Sequence, residues 1–186
     1  MIRMEHVTFG YALQRPILRD FSLTVPEGGR VCLMGPSGQG KTTALRLLLG
    51  LERPRKGTVS VPEGVRFSAV FQEDRLLPWK TVLENAALFS DEDSARRILT
   101  ALGLGDSLGA LPETLSGGMK RRAALGRALA HPFDVLVLDE ALTGLDGETK
   151  QRCLTAIDEA VGRRTLVLAT HDAEEAHALG AEIVTL

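Results

Sequence analysis

The run Gly35-Pro36-Ser37-Gly38-Gln39-Gly40-Lys41-Thr42 has the spacing G-x-x-x-x-G-K-[ST], and the chemistry that spacing serves is phosphate binding. Its glycines let the backbone curl so that successive N–H groups point at phosphate oxygens, and a helix starting at the loop's end adds its positive pole. Lys41 is placed to reach the β- and γ-phosphates, and the Thr42 hydroxyl to reach Mg²⁺. The context fits, because an apolar run of strand character (Arg30 to Met34) precedes the loop and a helix-forming run (Thr43 to Leu49) follows it. The chain is therefore expected to bind a nucleoside triphosphate.

Three further groups complete the chemistry. Val135-Leu136-Val137-Leu138-Asp139-Glu140 ends an apolar strand in adjacent carboxylates. Ligands of parallel sheets gather at the carboxyl ends of strands, so Asp139 is expected at Mg²⁺ and Glu140 as the base that takes a proton from attacking water. His171 closes a second buried strand, Thr165 to Ala169, and is expected to sense the γ-phosphate, whereas His6, His131 and His177 read as structural. Ser116-Gly117-Gly118 opens a basic helix, and its hydroxyl and bare N–H groups make a second anion site. It lies far along the chain from the first, so one nucleotide is not expected to use both within one copy.

The elements that must position these groups follow from the pattern. Ile2 to Phe9 and Leu18 to Val25 read as strands joined by a turn around Gln14-Arg15-Pro16. Strand character returns at 57–61, 65–71 and 183–185. Residues 81–108 are helical in pattern, with Ser90 or Asp91 as a cap, and helices are expected at 119–130, 147–161 and 173–179. Strands alternating with helices imply an α/β fold: a phosphate-loop core with a mainly parallel sheet, N-terminal antiparallel strands and an inserted helical lobe. One domain of 186 residues is expected, with core 1–72 and 116–186 and the lobe at about 73–115.

Composition narrows the classes. Twenty-two basic and 24 acidic residues leave a net charge of −2, which argues against a general grip on nucleic acid. Cys32 and Cys153 show no metal or C-x-x-C spacing and are expected as buried, reduced thiols. No apolar run approaches the ~20 residues that span a bilayer and no signal peptide is recognised, so a cytoplasmic protein is expected, with any membrane role through a partner.

In order along the chain, Gly35–Thr43, Gln72, Leu115–Gly118, Val135–Glu140, Leu145-Asp146 and His171 resemble the motif set of the ATP-binding cassette ATPases, the motor subunits of ABC transporters. The resemblance covers essentially the whole chain, and Leu115–Gly118 is its most specific part. It implies ATP and Mg²⁺ as ligands, with Gln72 touching metal and water and Tyr11 stacking on adenine. Phe9, the neighbouring aromatic, falls on the core side by alternation. It also implies a head-to-tail dimer in which Ser116, Gly117, Gly118 and Asp146 of one copy close over ATP held by the Gly35–Thr43 loop of the other. Met119, Ala141 and Leu142-Thr143-Gly144 depart from the usual pattern and remove no catalytic group.

Leu76-Leu77-Pro78-Trp79 after Gln72 is similar to the nitrate, sulfonate and taurine importers. That likeness implies a permease partner, an extracytoplasmic solute-binding protein and a place on the inner face of the membrane. These four residues are expected either to pack the lobe or to line a groove for a permease helix. A soluble non-transport ATPase of the same family, or a regulatory ATP-binding module, is the alternative.

Overall fold

The computed structural model describes residues 1–12 and 15–186. Of the turn expected around residues 14–16, Gln14 lies outside the described residues. By packing, the chain forms two compact units: residues 1–67, 134–139 and 163–186, and residues 68–133 and 140–162. The second takes in the expected lobe at 73–115 together with the helices at 117–130 and 147–161.

Two sheets make up the first unit. β1 (Ile2–Phe9), β2 (Leu18–Val25) and β4 (Lys56–Ser60) form an antiparallel sheet in the order β2-β1-β4. The alternating burial of Ile2, Met4, Val7 and Phe9 reflects one packed and one solvated face. β3 (Arg30–Met34), β6 (Val135–Asp139), β7 (Thr165–Thr170) and β8 (Glu182–Thr185) are parallel and run in the order β6-β7-β3-β8. Every residue of β6 and β7 is buried, as expected of strands covered on both faces. α1 (Lys41–Leu48) and α6 (Ala173–Ala178) pack on this sheet. β5 (Phe67–Val70) carries the chain into the second unit.

Helices build the second unit: α2 (Val82–Ala86), α3 (Glu92–Ala101), α4 (Gly117–Ala130) and α5 (Gly147–Val161), with short 3₁₀ turns between. Val82, Ala86, Ala95, Leu99, Leu104, Leu115, Ala123 and Ala130 form a core cluster here. Gly126 is what lets α3 and α4 meet, because a Cβ there would lie 2.7 Å from Leu99 Cδ2. Each helix starts on a side-chain cap. Thr81 and Glu84 form a reciprocal capping box at α2, and Asp91 accepts from the Ser94 N–H at 2.8 Å at α3. Cys32 and Cys153 are both buried thiols whose pKa is pushed up to about 11 by burial.

Candidate functional site

In the first unit, β3 stops at Met34 and the phosphate loop carries the chain into α1. The turn needs backbone conformations that only glycine adopts cheaply: φ is 84° at Gly38 and 101° at Gly40, the residue that caps α1. Gly40 also sits hard against the start of β2, where a Cβ would meet Ile17 Cγ2 at 2.8 Å and Leu18 Cδ2 at 3.0 Å. Lys41 is buried, and its ammonium donates to the carbonyls of Gly35 (2.6 Å) and Pro36 (3.2 Å). The charge is thus held over the loop. Pro36 to Gln39 and Thr42 are exposed on the loop.

Register brings the other groups to the same edge. Met34 of β3 lies opposite Thr170 of β7, and Asp139 of β6 opposite Ala169. The phosphate loop, Asp139 and the Thr170–His171 step therefore leave the sheet at one level, at the carboxyl ends of three neighbouring strands. Asp139 is only 1 % exposed, whereas His171 is exposed. Glu140, directly after Asp139, adopts φ 49°, a left-handed conformation that a glutamate rarely takes. Tyr11 is 60 % exposed and meets the buried Phe9 ring edge-on at 5.2 Å. Phe9 is the last residue of β1 and is buried, so Tyr11, beyond the strand's end, is the aromatic left exposed.

The second unit holds a different set. Ser116 caps α4 by accepting from the Met119 N–H at 3.3 Å, and no acidic residue occupies the first turn. Gly117 is exposed and Gly118 partly so, which leaves the positive end of a 14-residue helix facing outward. Leu145 packs beside it: a Cβ on Gly118 would lie 3.4 Å from Leu145 Cδ2. The next residue, Asp146, caps α5 by accepting from the Thr149 N–H at 3.0 Å, a bond that holds its carboxyl below the usual range. Ser116–Gly118 and Leu145-Asp146 are therefore neighbours within this unit. Gln72 is exposed on the same unit.

Several residues that the sequence did not single out set this geometry. Arg121 donates to the Phe71 carbonyl (3.2 Å) and pairs with Asp74, while Arg127 donates to the Asp74 and Arg75 carbonyls, so α4 grips the segment after Gln72. Asn85 is fully buried. Its amide NH₂ donates to the carbonyls of Leu77, Lys80 and Thr81, and its oxygen accepts from the Leu77 N–H at 2.8 Å. Of the residues 76–79, Leu76 packs on the core cluster, while Trp79 stands 72 % exposed on the loop Asn85 holds. In the first unit, the Thr170 hydroxyl donates to Glu175 at 2.8 Å, and both are buried.

A strand ending in a glycine loop over a buried lysine, beside an acidic strand end, defines a phosphate-loop nucleotide-binding fold. Residues 18–143 match the profile of the family described as "ABC transporter". The chain is 43 % identical over 180 residues to the aliphatic sulfonates import ATP-binding protein SsuB 1 of Paracoccus denitrificans (strain Pd 1222), covering 92 % of this chain and 74 % of that protein. Its fold matches the dimeric structure of a bacterial ABC transporter cassette with a TM-score of 0.89 at 27 % identity, over 100 % of this chain and 94 % of the other. A dimeric ATP-binding cassette in a post-hydrolysis state, bound to ADP and Pi, matches at a TM-score of 0.88 with the same identity and coverage. The chain belongs to the ABC transporter family, as an ATP-hydrolysing subunit.

Proposed function

We propose that this chain powers the import of a small sulfonate through a separate membrane permease, working as one of two copies that close head to tail on two ATP molecules. The observation that carries the pairing is the outward-facing α4 start, with Ser116, Gly117 and Gly118 beside Asp146 and without a first-turn acid. It is a second anion-receptive surface, on a different unit from the phosphate loop. The relative named for aliphatic sulfonate import supports the solute class. No described helix is long and apolar enough to cross a membrane, which fits a subunit held at the inner membrane face by its permease. A solute-binding protein outside would deliver the solute, and Trp79 offers the permease an exposed aromatic contact.

In this reading the loop N–H groups of 37–42 and the Lys41 ammonium hold the β- and γ-phosphates, with Tyr11 against the adenine. Among the described residues no cluster of three His, Cys, Asp or Glu side chains forms a metal site by itself. That suits Mg²⁺, which keeps waters and takes one or two protein oxygens alongside phosphates. Thr42, Asp139 and Gln72 offer the hard oxygens it favours, and when bound it neutralises charge on the transferring phosphoryl group. Glu140 takes the proton from the attacking water, and His171 contacts the γ-phosphate and reports its presence.

The test uses a strain lacking the gene. Wild-type chain should restore uptake of a labelled alkanesulfonate, and Glu140→Gln should not, because losing a general base costs about 10²–10⁴-fold in hydrolysis. Purified Glu140→Gln chain should double in mass when ATP is added. Uptake that is indifferent to the gene overturns the import reading in favour of a non-transport ATPase or regulatory module. An unchanged mass with ATP overturns the pairing.

A further inference from the structure

We propose that Thr170 and Glu175 are positioning residues for hydrolysis, fixing His171 by tying the peptide that follows it to the hydroxyl of the residue before it. The inference rests on the reading of His171 as a γ-phosphate contact. The Thr170 hydroxyl hydrogen is committed to Glu175 Oε2 at 2.8 Å, because a carboxylate only accepts. That commitment turns the oxygen's lone pairs toward the Asp172 N–H, which donates to it at 3.1 Å. One side-chain oxygen thus spans the residue before His171 and the residue after it.

The segment is anchored a second time. Asp172 caps α6, its Oδ1 accepting from the Glu174 N–H at 2.9 Å, and α6 is the helix that carries Glu175. Strand end, histidine and helix therefore form a closed ring of hydrogen bonds. Thr170 and Glu175 are 2 % and 5 % exposed, so water does not compete for these bonds, and a buried carboxylate is costly to keep unless it is so used. His171, between the buried Thr170 and the half-buried Asp172, is exposed. A threonine at the last position of a buried β-strand would ordinarily need no acidic partner. Here the acid is spent on orienting the hydroxyl.

Steady-state ATPase kinetics of the full chain test this, with thermal melting as the control for folding. Thr170→Val keeps the shape and removes both bonds. It should lower kcat on the order of tenfold, the rate equivalent of one buried hydrogen bond, while KM for ATP stays within about twofold. Thr170→Ser, which keeps the hydroxyl, should restore most of the lost turnover, and Glu175→Gln, whose amide oxygen still accepts, should fall between. In a His171→Ala background Thr170→Val should cost nothing further. A full kcat in Thr170→Val, an equal loss in Thr170→Ser, or an additive loss in the double variant overturns the positioning role. His171→Ala at wild-type turnover instead overturns the γ-phosphate reading beneath it.

Discussion

The two compact units hold their candidate site residues with different materials. In the first, the loop, Asp139 and His171 hang from the ends of parallel strands whose positions are set by backbone ladders between β6, β7 and β3. In the second, side chains hold backbone: Asn85 spans three carbonyls and an N–H, Arg121 and Arg127 grip residues 71–75, and Arg122 donates to the carbonyls of Leu102, Gly103 and Gly118. A ladder survives most side-chain changes, whereas a side-chain stitch is lost with one residue. Substitutions in the first unit should therefore strike chemistry and leave the fold, while substitutions at the stitches of the second should strike the fold itself.

Lys41→Ala offers the sharpest contrast. Removing a preorganised cation from a phosphate site should cost about 10²–10³-fold in kcat. The melting temperature should change little, because the carbonyls Lys41 leaves belong to the half-buried Gly35 and the exposed Pro36, where water can take its place. A large drop in melting temperature would break the comparison. Asn85→Ala should do the reverse, taking the side-chain partner from the Leu77 N–H and the Lys80 carbonyl, leaving the Leu77 and Thr81 carbonyls with a backbone donor each, and costing ~1–3 kcal/mol of stability. Hydrogen exchange localised to residues 77–86 would check it, and unchanged protection there would refute the stitch.

The smallest effect belongs to a surface pair in the first unit. Arg66 beside Asp134 holds that carboxyl down at about 2, through side-chain and backbone hydrogen bonds. Its folded pKa lies below the ordinary value, so its contribution is fully present above the unfolded pKa and is lost as pH falls through about 2. Denaturation midpoints of wild type and Asp134→Asn should therefore differ at pH 5 and converge toward pH 2. A difference that stays constant over that range would assign the pair no electrostatic role.

Much of this was legible in the residues. Alternation placed β1 and β2, and the helical pattern placed α5 at 147–161. The phosphate loop, Asp139 and His171 read clearly because each is a polar step at the end of an apolar strand. Boundaries slipped where one bond outweighs pattern. α1 starts at Lys41 because Gly40 caps it in a left-handed turn, and β5 starts only at Phe67, after Arg66 has tied itself to Asp134. The helical stretch at 81–108 divides because a 3₁₀ turn at Ala87–Phe89 ends α2 and Asp91 starts α3 afresh. Asn85 and Thr170 were illegible, since an asparagine within a helix and a threonine in a strand look ordinary until their partners, near or far, are known. The packing of Leu145 on Gly118 is likewise a property of the fold alone.

Glu140 carries a consequence for the lineage. At φ 49° the backbone would suit glycine or asparagine better than glutamate, and non-glycine residues held in this way cost of order 1–3 kcal/mol. In the proposed reading, the side chain that hydrolysis needs thus stands where the local backbone disfavours it. Glu140→Gly, a single base change away, would remove that carboxylate while relaxing the turn.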